Sequence, residues 1–218
     1  MKLTLKSLQN EFNAYQNPES EKEKDIVKAA EDVFAELGFS GATTAELAKR
    51  AGVTERTLFK YFPSKIDLYR RVLSGLLLST ILPGHMSDLK ERLQSLKPNF
   101  KEWYVTILKA RYTAVAKEPQ KLKLLLGALL FSKEFAEIFG NLWKINLYDT
   151  SVEAIKYFQQ IGEIRKDLDP NQIVRASFSL AASFLITKFV LAPKYPIDPE
   201  KEMETIFIIF YQGIKNEM

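Results

Sequence analysis

The side chains best suited to chemistry in this sequence form a short polar cluster, Glu55, Arg56, Thr57 and Lys60. Such a set can hydrogen-bond base edges and phosphates in the major groove of DNA. Arg56 in particular is a long bidentate donor that suits guanine. The sequence contains no glycine-rich phosphate loop, histidine–carboxylate metal motif or nucleophile elbow. We therefore expect a protein that binds DNA, and we expect neither an enzyme nor a metal or cofactor site.

Basic residues are concentrated around this cluster. Seven basic and three acidic residues lie between Thr44 and Arg71, an excess equal to the net charge of +4 of the whole chain. A charge excess confined to one segment is expected of a surface that binds phosphates. A solvated face explains four of the basic residues as well as DNA contact does; they are Lys49, Arg50, Arg70 and Arg71.

The composition favours a soluble, cytoplasmic protein. Cysteine is absent, which excludes disulfides and thiolate zinc sites and fits a reducing compartment. The first residues, MKLTLKSLQNEFNAYQ, contain no continuous apolar run of the length that a signal peptide needs. In the most apolar later stretch, only residues 176–187 are free of charge. As a helix they would rise ~18 Å, less than the hydrocarbon core of a bilayer, so we expect no membrane partner.

The polar cluster lies where a helix-turn-helix is predicted. This motif needs a small residue where two short helices cross and a glycine in the turn, and Ala48 and Gly52 meet these needs. Thr43 opens the first helix with a capping box, and Thr54 can cap the second, which we place at Glu55–Tyr61. Apolar residues are spaced to lock the pair: Leu47, Ala51, Val53, Leu58 and Phe62.

Helical periodicity continues through the rest of the chain and predicts an all-α fold. Caps and breakers place helices at 21–37, ended by Gly38, and at 64–80, and then at 99–116, 119–140, 141–161, 170–191 and 199–216. Beyond residue 82 the helices lengthen and aromatic residues increase. We therefore predict an N-terminal arm (1–20), a three-helix DNA-binding domain (21–80) and a helical domain (81–218) for dimerisation and ligand sensing.

Two segments between Asp25 and Leu73 resemble the TetR family of bacterial and archaeal regulators. They read IVKAAEDVFAELGFSGATT and ELAKRAGVTERTLFKYFPSKIDLYRRVL. The resemblance implies a three-helix DNA-binding domain on a helical C-terminal domain that dimerises and often holds an inducer.

The same resemblance implies roles for individual residues. Thr43 or Thr44, Tyr61 and Lys65 match the family's phosphate contacts, and residues 54–57 match its base-reading positions, which begin here with Thr54. Two positions depart from the family pattern, because it often has glycine at position 56 and tyrosine at 59, where this chain has arginine and phenylalanine. Operator preferences therefore cannot be transferred from relatives.

Aromatic residues of the second domain have two interpretations. Each one can simply fill a helical core, or together they can line a cavity between helices, the usual small-molecule site of a bundle. For the second interpretation, Arg111 or Tyr112 would serve a polar head group. The predicted ligand-binding residues are Trp103, Tyr104, Ile107, Arg111, Phe131, Phe135, Phe139, Trp143 and Phe178.

The last two helices, 170–191 and 199–216, are predicted to form the homodimer interface. Residues 173–190 are apolar nearly all round, and such a helix needs partners on two sides. The final helix carries a matching apolar stripe, which suggests four helices between subunits. The stripe consists of Met203, Ile206, Phe207, Phe210 and Ile214.

The sequence thus predicts a dimeric repressor that occupies a palindromic operator in double-stranded DNA and is released by a small apolar or amphipathic ligand. A constitutive or activating DNA-binding regulator, with a second domain that is only structural, is the alternative. The inducer, the operator and the regulated genes have no signature in the sequence.

Overall fold

The computed structural model describes residues 10, 13–81, 91 and 99–216, and within these residues every regular element is helical. The predicted all-α class is thus confirmed. The helices are α1 (Glu21–Gly41), α2 (Thr44–Arg50), α3 (Glu55–Tyr61), α4 (Lys65–Ile81), α5 (Phe100–Lys117), α6 (Pro119–Phe131), α7 (Lys133–Trp143), α8 (Asp149–Gln160), α9 (Pro170–Ile186) and α10 (Pro199–Ile214). Two π-helical segments, Lys144–Tyr148 and Thr187–Leu191, follow α7 and α9.

Short polar side chains start these helices where the sequence predicts. At each predicted cap a side-chain oxygen accepts a backbone N–H from the first turn, which would otherwise lack a partner. The capping residues are Ser20, Thr43, Thr54, Ser64, Asp169 and Asp198. In α1, Gly38 has φ 69° and ψ 172°, so regular helix is interrupted at the predicted stop although helical turns continue to Gly41.

The predicted single helix at 119–140 is wrong, because the structure divides it after Phe131. Ser132 caps the following helix, since its Oγ accepts the backbone N–H of Phe135 at 3.3 Å. The predicted break at Gly140 is also wrong, because α7 continues to Trp143 and passes into the π-helical segment. A glycine inside a helix weakens it without ending it.

The chain divides into two compact units, Met1–Leu82 with Pro119–Asn141, and Pro83–Glu118 with Leu142–Met218. In the first unit, α1 packs against α2, α4 and α6. Its core combines aliphatic residues, such as Ile26 and Leu58, with aromatic residues, such as Phe34 and Phe62, all of them almost fully buried. The assignment of DNA binding to 21–80 and of dimerisation and ligand sensing to 81–218 stays a prediction.

The second unit is built around the aromatic residue at the start of α5. The ring of Phe100 lies 5.2 Å from that of Phe158 on α8 and 6.3 Å from that of Phe207 on α10, measured between centroids. The backbone N–H of Phe100 donates to a carboxylate oxygen of Glu163 at 2.6 Å. The loop that carries Glu163 pairs in turn with the end of α10, since the N–H of Arg165 donates to Ile214 O at 2.9 Å.

Candidate nucleic-acid interface

The turn between α2 and α3 is built by Gly52 in a left-handed conformation, with φ 66°. Two backbone bonds close the end of α2, from Gly52 N–H to Lys49 O at 3.1 Å and from Val53 N–H to Ala48 O at 2.9 Å. This is the Schellman arrangement that ends many helices at a glycine. Of the predicted lock residues, Leu47, Leu58 and Phe62 are buried and Ala51 and Val53 are half-buried; the small crossing residue Ala48 is buried too. The turn and the lock hold α3 in a fixed position on α2.

The outward face of α3 carries the residues that the sequence predicts to read DNA. Thr54 caps the helix, and its Oγ1 accepts the N–H of Thr57 at 3.2 Å. Glu55, Arg56 and Lys60 are exposed. In the described part of the chain, Arg56 and Lys60 make no hydrogen bond or ion pair, so their charges are available to an anionic partner.

Two of the predicted DNA-contacting residues bond to each other. The hydroxyl of Thr44, in the first turn of α2, donates to the carboxylate of Glu55, in the first turn of α3. Thr43 precedes them as the cap of α2, with its Oγ1 accepting the N–H of Glu46 at 3.1 Å. The bond between Thr44 and Glu55 orients both side chains relative to each other.

Tyr61 and Lys65, predicted as phosphate contacts, also have partners within the protein. The hydroxyl of Ser20 donates to Tyr61 Oη at 3.2 Å. Lys65 Nζ donates to the carbonyl oxygens of Phe39 and Ala42 at 2.8 and 2.9 Å and lies 4.4 Å from the centre of the Phe39 ring. An ammonium has three N–H donors, so one remains for a phosphate. Lys65 therefore ties the start of α4 to the end of α1 whether or not it contacts DNA.

Three of the basic residues near α3 are neutralised within the fold. Arg50 pairs with Glu36 at 2.9 Å, Arg70 with Asp67 at 3.4 Å, and Arg71 with Glu23. The hydrogen bond and positive charge of Arg50 lower the pKa of the Glu36 carboxyl. Lys49 is exposed and lacks such a pair within the described residues, so the structure adds it to the candidate contacts. Sequence reasoning left it undecided, because the pairing of its neighbours depends on residues far along the chain.

The predicted ligand-binding residues are divided between the two units. Phe131, Phe135 and Phe139 belong to the first unit, and the other six belong to the second. Phe131 is 88% exposed, whereas Phe135 is fully buried and its ring lies 6.3 Å from that of Phe139. The pocket itself stays a prediction.

In the second unit, the predicted ligand-binding residues lie in two groups of rings. Trp103 and Tyr104 are buried beside Phe100, and Trp143 makes an edge-on contact with Phe178 at 5.1 Å. Ile107 and Arg111 are half-buried farther along α5. The cluster around Phe100 also includes aromatic residues of α8 and α10 that the predicted ligand-binding set does not contain. They are Phe158, Phe207 and Phe210. Residues so far apart in sequence share no local pattern that would group them.

No group of three potential metal ligands occurs among the residues that the structure describes.

Comparison with known proteins gives matches to the N-terminal segment and one longer match. A family model described as "Bacterial regulatory proteins, tetR family" matches residues 26–72. The HTH-type transcriptional regulator RutR of Escherichia coli K12 is 45% identical over 58 residues, 27% of this chain and 27% of its own. The chain thus covers about a quarter of the length of such relatives. A longer match is the fatty acid metabolism regulator protein of Bacillus subtilis 168, 29% identical over 143 residues, 65% of this chain and 59% of its own.

Among solved structures, the ketosteroid transcriptional regulator KstR2 of Mycobacterium tuberculosis is similar over most of its length. It aligns with a TM-score of 0.68 at 19% identity, over 91% of this chain and 97% of that one. At this identity the likeness shows a shared fold and nothing finer.

Proposed function

Because the chain belongs to the TetR family of DNA-binding transcriptional regulators, we propose that it represses transcription by binding a near-palindromic operator as a homodimer, until a small apolar or amphipathic ligand releases it. The observation that carries this proposal is the face of α3. A capped and rigidly held helix presents Arg56 and Lys60, which have no hydrogen-bond or ion-pair partner among the described residues. Such side chains on such a helix suit the major groove of DNA. Such a protein acts where the DNA is, in the cytoplasm.

Arg56 and Lys60 are expected to do different work. Arg56→Ala should relax discrimination at one base position, at a cost of ~1–3 kcal/mol there. Lys60→Ala should weaken binding to all sequences alike and lower the slope of log affinity against log salt by about one. Lys156→Ala, an exposed change on α8, is the control and should alter neither. Equal losses on operator and random DNA for Arg56→Ala would contradict its role in reading bases.

The dimer predicts the geometry of the operator. Two symmetric recognition helices must enter successive major grooves, so half-sites should lie about one turn apart, ~34–36 Å. Selection from random DNA should therefore return inverted repeats. Recovery of asymmetric sites alone would contradict binding by a symmetric pair of recognition helices.

We place the dimer interface on α9 with its π-helical extension and on α10. Pro170–Leu191 has a mean hydropathy of 1.5 over its most apolar window, of which only 17% is buried. By length and composition alone this helix could cross a membrane. Its exposed side, however, carries Arg175 and the small residues Ala176, Ala182 and Ser183, which favour close approach of a second helix over contact with lipid.

The part that α10 was expected to contribute needs correction. Its predicted interface stripe is buried within its own unit, where Phe207 and Phe210 contact Phe100. The stripe therefore cannot also face a second subunit. The opposite side of the helix remains apolar, with Ile208 and Ile209 exposed by 49% and 64%, and this side is the one we now assign to the interface.

A charge on that side tests the assignment. Ile209→Glu should yield a monomer with weak operator affinity, because an unpaired carboxylate in an apolar interface is costly. Ile161→Glu places the same charge on an exposed apolar position of the same unit outside both helices, and it should leave the mass in sedimentation unchanged. A dimer of unchanged mass for Ile209→Glu would refute this interface.

Ligand release requires coupling between ligand and operator. A typical coupling of ~1–3 kcal/mol corresponds to ~5–150-fold loss of operator affinity, and linkage requires operator DNA to weaken ligand binding by the same factor. Titrations followed by the fluorescence of Trp103 and Trp143, with and without operator, measure both effects. Binding that is indifferent to DNA would eliminate the switch while leaving the DNA-binding function intact. A reporter gene then separates repression from the activating alternative.

A further inference from the structure

Arg111 occupies an unusual position on α5. Tyr104 and Leu108 mark the buried side of this helix. Arg111 follows Tyr104 by two turns and Leu108 by one, and residues at these spacings share one helical face. A guanidinium therefore lies on the side of α5 that otherwise packs into the second unit, on which α9 and α10 also pack against α5.

This guanidinium has no counter-charge in the part of the chain that the structure describes. Among the residues that the structure describes, none forms a hydrogen bond or ion pair with the Arg111 side chain, and burial lowers its pKa. The carboxylates that α10 presents to α5 are used elsewhere, since Glu200 lies 3.6 Å from Lys109 and Glu204 lies 3.9 Å from Lys101. Arg111 is half-buried. A charge removed even partly from water is normally paired, because otherwise it loses hydration without compensation.

Aromatic side chains flank the Arg111 position. The ring of the next residue, Tyr112, lies 5.9 Å from Phe184 and 5.6 Å from Phe189. Phe189 belongs to the π-helical segment Thr187–Leu191, and such segments occur frequently at functional sites. Tyr104 lies on the other side along α5. One strong cationic group thus lies on a stretch of α5 that also carries aromatic residues, one of which packs against rings of α9 and its π-helical extension.

We propose that Arg111 binds the anionic head group of the ligand, a carboxylate or a phosphate, while the apolar body of the ligand packs against the neighbouring rings. This inference rests on the proposed function, since it defines the chemical class of the ligand that releases DNA. A guanidinium binds either anion through two parallel N–H bonds and is more weakly hydrated than an ammonium, so it suits an apolar setting.

Three probes with the same chain separate the head groups: decanoate, decyl phosphate and 1-decanol, each below its aggregation concentration. The wild type should bind at least one of the anions more tightly than the alcohol by roughly 10- to 150-fold, as expected for hydrogen bonds to charged groups. Arg111→Met should lose this preference and keep its affinity for 1-decanol. Lys117→Met removes an exposed charge from the last turn of the same helix and should keep the preference. Which anion binds more tightly decides between carboxylate and phosphate.

The unliganded protein provides a second readout. Because Arg111 lacks a partner among the described residues, Arg111→Met should raise the melting temperature of the free protein, and the anions should stabilise the wild type but not the variant. A lower melting temperature for the free variant would show a structural role and overturn the proposal.

The binding data distinguish the two levels of inference. Equal binding of anions and alcohol, or anion binding unaffected by Arg111→Met, would overturn the anionic head group and leave an apolar inducer in place. Failure of all three probes to bind the wild type would contradict both the head group and the apolar ligand.

Discussion

The turn and cap of α3 differ from the core of the second unit in how far apart in sequence their contacts lie. The bonds that form the turn before α3 and cap its start join residues close along the chain, as from Thr54 to Thr57 and from Ala48 to Val53. In the second unit, Phe100 packs against Phe158 and Phe207, which come from two other helices. The recognition helix is therefore specified by a short stretch of chain, whereas the second core depends on the whole unit.

The largest effect is expected at the centre of the second core. Phe100 is fully buried, and Phe100→Ala should lower the free energy of unfolding by ~3–5 kcal/mol, because it removes an aromatic side chain and leaves a cavity. Phe131→Ala is the matched control, since Phe131 is 88% exposed, and it should change stability by less than ~0.5 kcal/mol. Urea unfolding measures both. A small effect for Phe100→Ala would show that the second unit does not depend on this residue.

The next effect separates the two possible roles of Lys65. Lys65→Met removes two charged hydrogen bonds to carbonyl oxygens and should cost ~1.5–3 kcal/mol of stability. It should also lower the salt slope of DNA binding by about one if its third N–H reaches a phosphate, as we expect. Lys60→Met should lower the slope to the same extent without a loss of stability. A destabilised Lys65→Met protein with an unchanged salt slope would assign Lys65 to the fold alone.

Lys65 also shows which kind of contact the sequence does not predict. The caps, the glycine turn and the all-α class were predictable because their signals lie within a few residues. The bond from Lys65 to Phe39 spans 26 positions, and that from Arg50 to Glu36 spans 14, so no local pattern announces either. For the same reason the burial of the α10 stripe in its own unit was missed. An amphipathic stripe shows that a helix has an apolar partner, but it does not identify the partner.

A smaller effect tests whether the turn before α3 requires a glycine at position 52. The space around Gly52 is open, since a Cβ there would meet no atom within 4 Å, but its φ is +66°. Gly52→Ala should therefore cost ~1–2 kcal/mol from backbone strain alone and weaken operator binding by tilting α3. Gly127 in α6 has equally open space and no positive φ, so Gly127→Ala should stabilise the protein by ~0.5–1 kcal/mol. The same sign of change at both positions would contradict the assigned role of the turn.

The smallest effect tests the core of the second unit through the pH dependence of the free energy of unfolding. Burial raises the pKa of Tyr104 to about 12, partly offset by the hydrogen bond from Ser177, whereas an unfolded tyrosine titrates near ~10. A folded-state pKa above the unfolded value means that this contribution to stability is complete below pH ~10 and is lost as the pH rises toward the folded pKa. Between pH 9 and pH 11 the wild type should lose about 1 kcal/mol of unfolding free energy through this group. The Tyr104→Phe variant has no phenol at this position, so it should lose less unfolding free energy by that amount over the same pH range.

Burial also raises the pKa values of Tyr69 and Tyr211, but both residues are present in either protein. The difference between wild type and variant in urea unfolding at the two pH values therefore isolates Tyr104. If the two proteins lose stability equally from pH 9 to pH 11, the phenol of Tyr104 reaches water in solution. The part of α5 that precedes Arg111 would then be less tightly packed than the structure shows, and the apolar setting proposed for the ligand head group would need revision.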